Sequence, residues 1–399
     1  MMSVFRKKWE FLFLCCLTYM CAYLCRVNLS SALGKMELAL GASTAQLGLL
    51  GTAYFFSYAC AQLVCGFFGD RVRPERLVLL GMTGIAAMNI GISLSGGYGQ
   101  ILPLWCLNGV FQSMLWGPMS RLLAGRFAPE ERVRVSTWYS LSMPVGYILG
   151  WSAIAPLLSG AAWTYNFLVP GLIVAVPALL WAMIAASAAR DPAFAPVSAA
   201  KPSMRVLVAT IREDKLWRIA ITCLCNGIVK ESFTVWAPTL LTRLLGVGAG
   251  ESALYLVLFP VCNAAFIALV GALANRVRMP LRHLMAALFG MIAACACALI
   301  FLPCGAIATV ALMAAISGFG YAANNLCMGV LPMGYAEKNI TSSLVGIFDF
   351  SAYIGAGIAA FGLGLLISGS DVRPIAAVWL AAALIAALQD VLPMKKSRG

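Results

Sequence analysis

Two basic residues stand where a chain this apolar has no ordinary use for them. Arg26 lies in LTYMCAYLCRVNLSSAL and Lys230 in CNGIVKESFTVWAPTLL. A cation at the centre of a membrane-spanning helix costs about 2.5–3.5 kcal/mol on insertion scales. Snorkelling to an interface is the simple account of Arg26, which sits nearer the outer end of its run. Against it, Tyr19, Tyr23 and Arg26 fall at i, i+4 and i+7, one polar stripe on an otherwise apolar helix. Such a stripe suits the wall of a water-filled cavity. Two buried cations repel each other, and an anion bound between them relieves the repulsion. The expected chemistry is recognition of a small anionic substrate rather than catalysis.

A competing account pairs the cations with the protein's own acids. Glu231 and Asp349 sit deep in apolar runs. Glu231 follows Lys230 directly, so on a helix it points roughly 100° away, yet it can neutralise a neighbour. Asp349, in GIFDFSAYIGAG, can pair with Lys230 when no substrate is bound. Either acid can instead take up a proton, since carboxylates within membranes serve proton relays. Softer polar signals accompany these charges. Tyr54, Tyr58 and Gln62 step by four, Asn108 and Gln112 are one turn apart, Asn226 precedes Lys230 by one turn, and Asn324 and Asn325 are adjacent. Singly such residues join helices; together they outline a polar path.

The elements that must carry these residues follow from composition. The 399 residues are 62% hydrophobic and 11% charged, with mean hydropathy +0.89. That excludes an ordinary soluble enzyme, a disordered tail and a secreted disulfide scaffold. Twelve apolar runs span 9–33, 44–68, 77–95, 101–124, 135–158, 165–187, 217–244, 251–275, 283–303, 305–329, 342–368 and 374–393. Most are long enough to cross a bilayer as helices. MMSVFRKK and the run after it read as an uncleaved first helix. With both termini in the cytoplasm, 23 of the 28 Lys and Arg residues lie inside, against Lys35, Arg243 and Arg373 outside. The positive-inside rule selects that topology.

The stretch 188–216, with DPAFAPVSAAKP and IREDK, reads as a cytoplasmic linker. It divides the chain into six-helix bundles at 1–187 and 217–399. Gly66-Phe-Phe-Gly-Asp70-Arg71-Val72-Arg73 recurs as Gly271-Ala-Leu-Ala-Asn275-Arg276-Val277-Arg278, 205 residues on. Arg26 and Lys230 are 204 apart and read as pseudo-symmetry mates. The expected fold is an all-α membrane protein of twelve transmembrane helices in two pseudo-symmetric bundles, a transporter architecture. The Asp70-Arg71-Val72-Arg73 loop reads as a cytoplasmic latch, with Asp70 capping or pairing with Arg121 or Arg126.

Other chemistries lack a motif. No Walker loop, GxGxxG fingerprint, HExxH or CxxC occurs, and the 14 cysteines read as small apolar filler. His283, the single histidine, follows a basic loop and lends a His-based catalytic triad little support. No metal, cofactor or nucleic acid is expected; topology accounts for the net charge of +13.

The G-x-x-x-D-R loop, its weaker copy and the 6+6 layout resemble the major facilitator superfamily over almost the whole chain. A narrower resemblance is to the organophosphate:inorganic phosphate antiporters. It rests on Tyr23-Leu-Cys-Arg26, on Asn108-Gly-Val-Phe-Gln112-Ser-Met-Leu-Trp116-Gly-Pro118 with Arg121, on Pro129-Glu-Glu-Arg132 with Val135-Ser-Thr-Trp138, and on Trp236-Ala-Pro-Thr239. The resemblance implies that Arg26 and Lys230 bind the substrate's phosphate, with Tyr23 and Tyr58 as binding-site tyrosines. Gln62 stands where the glycerol-3-phosphate type has a lysine, Ser142 where the family has a histidine, and Lys230 in the place of an arginine. The expected substrate site comprises Arg26, Lys230, Tyr19, Tyr23, Tyr58, Gln62, Gln112, Ser142 and Asn226. Glu231 and Asp349 are the coupling or charge-pairing acids, and Asp70, Arg71, Arg121 and Arg126 the cytoplasmic gate.

The expected function is alternating-access transport of a phosphorylated metabolite, with inorganic phosphate or a proton as counter- or co-ion, by a monomer in the cell membrane. Arg26-Val-Asn28-Leu-Ser30 also resembles the anion:cation symporters, which implies a carboxylate carried with protons or sodium. A sugar-phosphate sensor on the same scaffold is the third expectation.

Overall fold

The computed structural model describes residues 7–187, 203–245, 249–277, 279–366 and 371–391. Residues 188–202 of the expected linker lie outside them. So do Arg6, Arg190, Lys201, Arg278, Lys395, Lys396 and Arg398, which enter the expected orientation.

The described residues are helical wherever the apolar runs fall. The helices are α1 (Lys8–Leu40), α2 (Thr44–Arg71), α3 (Pro74–Ser93), α4 (Tyr98–Ser113), α5 (Trp116–Arg126), α6 (Arg132–Leu149), α7 (Tyr165–Ser187), α8 (Met204–Glu213), α9 (Leu216–Leu245), α10 (Ala249–Arg276), α11 (Leu281–Phe301), α12 (Ala306–Asn325), α13 (Thr341–Leu366) and α14 (Arg373–Val391). Nine helices among the described residues are long and apolar enough to cross a membrane by length and composition. Helix is the natural answer to the apolar runs, because in lipid every backbone polar group must be satisfied within the segment.

Local chemistry sets the ends and the breaks. Gly41 ends α1 in the left-handed region, at φ 61°, and Ser43 opens α2 with a capping box on Gln46. Pro74 begins α3, where its missing N–H costs nothing. Inside spans, prolines leave marks. The fourth run breaks into α4 and α5 just before Pro118. The fifth widens to π geometry at Gly150–Ile154, ahead of Pro156, and the tenth at Leu326–Val330, ahead of Pro332. A proline removes a donor and displaces the carbonyl one turn back, and a π segment absorbs both effects.

The chain forms two compact units. The first comprises Met1–Pro202 with Pro332–Ile347, the second Ser203–Leu331 with Phe348–Gly399. These differ in detail from bundles at 1–187 and 217–399. Met204–Glu213, expected as linker, is helix α8 and belongs with the second unit. The segment Pro332–Ile347 clusters with the first unit because the start of α13 is hydrogen-bonded and closely packed there.

Within the first unit, α1 packs on α6 and α7, α2 on α4, and α3 on α7. Within the second, α9 packs on α14, α10 on α12, and α11 on α14. Counted from the start of each half, helices 1 and 6, 2 and 4, and 3 and 6 pair in both. One packing plan used twice is what the repeat at an offset of 205 residues implies.

Candidate functional site

In the first unit, Arg26 is half-buried on α1. Its guanidinium carbon lies 5.2 Å from the ring centre of Tyr23, 5.5 Å from Tyr54, 5.4 Å from Tyr58 and 5.9 Å from Phe55. Nη1 also reaches the Tyr23 hydroxyl at 3.5 Å. Each ring face attracts the cation through its quadrupole. Tyr19 extends the aromatic surface. Its ring lies 5.2 Å from Tyr23, 4.8 Å from Trp116 and 5.4 Å from Tyr139, and the last two rings stack at 4.1 Å.

A buried amide relay fixes the turn of α1 that carries Arg26. The Cys25 carbonyl accepts from Asn108 Nδ2 at 3.0 Å and from Gln112 Nε2 at 3.1 Å. Gln112 Oε1 accepts from the Tyr54 hydroxyl at 2.8 Å, which sets one wall of the aromatic cage. Asn89 donates to Asn108 at 3.1 Å and accepts from Asn28 at 2.8 Å. Gln112, expected in the substrate site, has both amide atoms engaged in this relay, which links α1, α2, α3 and α4. A buried network of this kind rigidifies what it joins, although Asn28 Oδ1 at its end has no partner among the described residues. Asn89 escaped sequence reasoning, because a single asparagine in an apolar run reads as helix glue, and Asn28 entered it only through the resemblance to the anion:cation symporters.

Gln62 and Ser142 differ from that pattern. Gln62 is fully buried on α2, and neither amide atom has a hydrogen-bond partner among the described residues. Ser142 is buried, donates to the Tyr139 carbonyl in its own helix, and lines a groove between α1 and α6.

In the second unit, Lys230 is 7% exposed on α9. Its Nζ pairs with Glu231 Oε1 at 2.8 Å and lies 5.0 Å from the ring centre of Tyr321 on α12. Adjacent helical positions diverge, but two long flexible stems bend back and meet. The expectation that Glu231 points away therefore holds for its Cβ and fails for its carboxylate. Asp349 is half-buried on α13. Asn226, one turn before Lys230, is 1% exposed, and both its amide atoms are without a partner among the described residues. Gly320 faces this turn: a Cβ there would stand 3.5 Å from Asn226 Oδ1 and 3.8 Å from Lys230 Cβ. A further acid, Asp390 on α14, is 1% exposed and accepts from Thr222 Oγ1 at 3.3 Å. The sequence reading passed it over because it stands near the end of its run.

Asp70 is 1% exposed at the end of α2. It was expected to engage Arg121 or Arg126. Its hydrogen bonds come instead from the Ser343 side chain and from backbone, Ser342 N to Oδ1 at 2.9 Å and Ser343 N to Oδ2 at 2.7 Å. These are free N–H groups of the first turn of α13, where the helix dipole favours an anion. Arg121 stays close and acts on Asp70 electrostatically. Its own Nη1 donates to the carbonyls of Gly69 at 2.7 Å and Val72 at 3.2 Å. Arg71 turns back onto Phe67, and Arg126 stacks on Phe11 at 3.9 Å. Glycine permits the approach: a Cβ on Gly66 would stand 2.7 Å from Gly346 Cα and 2.7 Å from the Ser342 carbonyl. Asn339, at φ 52°, turns the chain just ahead of α13. The capping partner could have been sought in Thr341-Ser342-Ser343, a polar start to an apolar run.

These features belong to a known class. Residues 15–389 match the Major Facilitator Superfamily, and the chain belongs to it. The fold agrees with that of a proton:xylose symporter bound to 6-bromo-6-deoxy-D-glucose, at TM-score 0.73 and 11% identity over 97% of this chain and 95% of that one. Among curated relatives, a probable hexose phosphate transport protein of Chlamydia pneumoniae is 31% identical over 160 residues, 39% of this chain. The match spans only about a third, 34%, of that relative's length. A phosphoglycerate transporter protein of Salmonella typhimurium is 22% identical over 385 residues, covering 88% of this chain and 81% of its own.

Proposed function

We propose that the protein is a secondary transporter of a small phosphorylated organic anion, working by alternating access in exchange for inorganic phosphate. The observation that carries this reading is Arg26. A planar cation is held half-buried on rings from two helices, and the backbone beside it is clamped by Asn108 and Gln112. A guanidinium so oriented presents a fork suited to phosphate oxygens. The names of the relatives, which concern hexose phosphate and phosphoglycerate, support the same class of ligand. Lys230 supplies the second cation, and Tyr19, Tyr23, Tyr58, Gln62, Ser142 and Asn226 complete the binding set. Asp70 on the first turn of α13 acts as the inner latch, released and remade once per cycle. The protein works as a monomer in the cell membrane with both termini in the cytoplasm.

One observation favours a second reading. The Lys230–Glu231 pair lowers the positive charge available to a ligand. That suits a monoanion such as a carboxylate carried with a proton or sodium.

Proteoliposomes loaded with phosphate test both. Counterflow of glycerol-3-phosphate, hexose 6-phosphate or 3-phosphoglycerate is expected, with loss in Arg26→Ala and in Lys230→Ala. Normal uptake in both variants rejects the site. Carboxylate uptake driven by a cation gradient moves the assignment to the second reading. Binding without flux identifies a sensor.

A further inference from the structure

The α1–α6 pair carries, on the outside of the first unit, a groove that the transport reading does not use. Its volume is about 570 Å³. Leu12, Phe13, Met20, Trp138 and Val145 line most of it, and Arg134 is the one charged residue in its wall. Phe13 is 69% exposed, Trp138 53% and Val145 38%. From Trp9 to Met20 the groove rises about 16 Å along α1, at 1.5 Å per residue. Half of a hydrocarbon core of about 30 Å is nearly the same. The groove is therefore one leaflet long.

Its charged end has its own chemistry. The Arg134 guanidinium is exposed and lies 4.9 Å from the Trp9 ring centre. Lys7 and Lys8 stand at the same end, opposed by Glu10 and Glu131. Lys7 lies 3.6 Å from Glu10, and Lys8 lies 2.6 Å from Glu131 Oε1. Arg134 shares the field of Glu131 with Lys8 and the Trp9 ring with the same lysine, and it is the exposed cation that stands in the wall of the groove itself. Trp9 and Trp138 are the ring type that settles at the level of lipid headgroups. An annular lipid needs neither a groove nor a cation at its head.

From this geometry we infer a binding site for one anionic phospholipid. Its phosphate sits on Arg134 over Trp9, and one acyl chain lies along the α1–α6 groove. Basic pockets between transmembrane helices hold anionic headgroups by the same combination. The occupant rests on α1, the helix that bears Arg26, and on Trp138, whose backbone carbonyl accepts from Cys16 Sγ at 3.5 Å. The site does not depend on what the protein transports.

Native mass spectrometry of the full chain in mild detergent, with equal phosphatidylglycerol and phosphatidylcholine of matched acyl chains, tests this. One phosphatidylglycerol per chain is expected to survive, at least tenfold over phosphatidylcholine. Arg134→Gln is expected to abolish that preference. Val145→Trp, which fills the groove from an exposed position, is expected to cut retention at least tenfold. Arg205→Gln, an exposed cation on α8, is expected to change nothing. The comparison of the two lipids on the unaltered protein needs no variant, so a poorly folding substitution does not blunt it. Equal retention of both lipids overturns the proposal, as does retention that either Arg134→Gln or Val145→Trp leaves unchanged.

Discussion

Arg26 and Lys230 stand 204 residues apart, one short of the repeat offset, and the protein holds them by different means. Arg26 lies against four ring faces from α1 and α2. Lys230 lies against a carboxylate on its own helix and one ring on α12. A ring face attracts a cation without cancelling its charge; a carboxylate at 2.8 Å cancels it at short range. The first position orients a fixed fork. The second carries a point charge on a flexible stem, with a counter-charge beside it.

The sharpest way to break this comparison is to remove the counter-charge. Breaking a buried ion pair from one side costs about 3–5 kcal/mol, because a buried charge loses its partner. Glu231→Ala is expected to lower the melting temperature markedly, while the double variant with Lys230→Met recovers most of the loss. If the two single variants and the double add independently in thermal unfolding, the pair is not coupled.

The next test exchanges the cations. Arg26→Lys replaces a planar fork with a strongly hydrated ammonium that reaches the same rings poorly. About 1.5–3 kcal/mol of anion binding is expected to be lost, the worth of a hydrogen bond to a charged group. Lys230→Arg is expected to cost less, since its site makes no use of planarity. Isothermal titration with inorganic phosphate and the transported ester reads both. Equal losses would mean that the two positions do the same work.

How far the sequence discloses this division depends on range. The helices are legible because a twenty-residue apolar run has one structural answer in lipid; the breaks before Pro118, Pro156 and Pro332 are not, since Pro170, Pro177 and Pro260 sit inside helices that continue. Arg26 and Lys230 are legible because a charge in such a run is expensive. What each charge touches is another matter. Glu231 faces Lys230 through stem flexibility that helix geometry conceals. The Cys25 carbonyl gains two side-chain donors from α4, contacts more than 80 residues away in the chain. Asp70 finds its donors 272 and 273 residues on, at Ser342 and Ser343, which the sequence marks only as a polar start to an apolar run. Spacing reports local geometry; these partners are set by packing.

The latch offers a smaller effect and a second contrast, because the copy of Asp70 in the repeat is Asn275. A carboxylate accepts both N–H groups and adds charge at a helix N-terminus. Asp70→Ala is expected to cost about 0.5–2 kcal/mol of stability, as loss of a strong cap does. Asp70→Asn keeps an acceptor and loses the charge, and is expected to fall between. Thermal unfolding in low salt orders the three proteins; an Asn variant as weak as Ala would mean that charge alone matters.

The smallest effect has the opposite sign. Gln62 in the first unit and Asn226 in the second are buried amides whose atoms lack partners among the described residues. A buried polar group left unsatisfied costs about 1–3 kcal/mol. A protein that only had to stay folded would gain by replacing both. Gln62→Met and Asn226→Leu are therefore each expected to raise the melting temperature, by the equivalent of about 1 kcal/mol once imperfect packing is allowed for. The same variants are expected to lose part of the thermal stabilisation that ligand confers on the wild type, because the amides are held in readiness for it. A variant that is more stable and still responds fully to ligand would return its amide to the scaffold. If Gln62 alone behaved so, the asymmetry between the halves would extend from the cations to the groups around them.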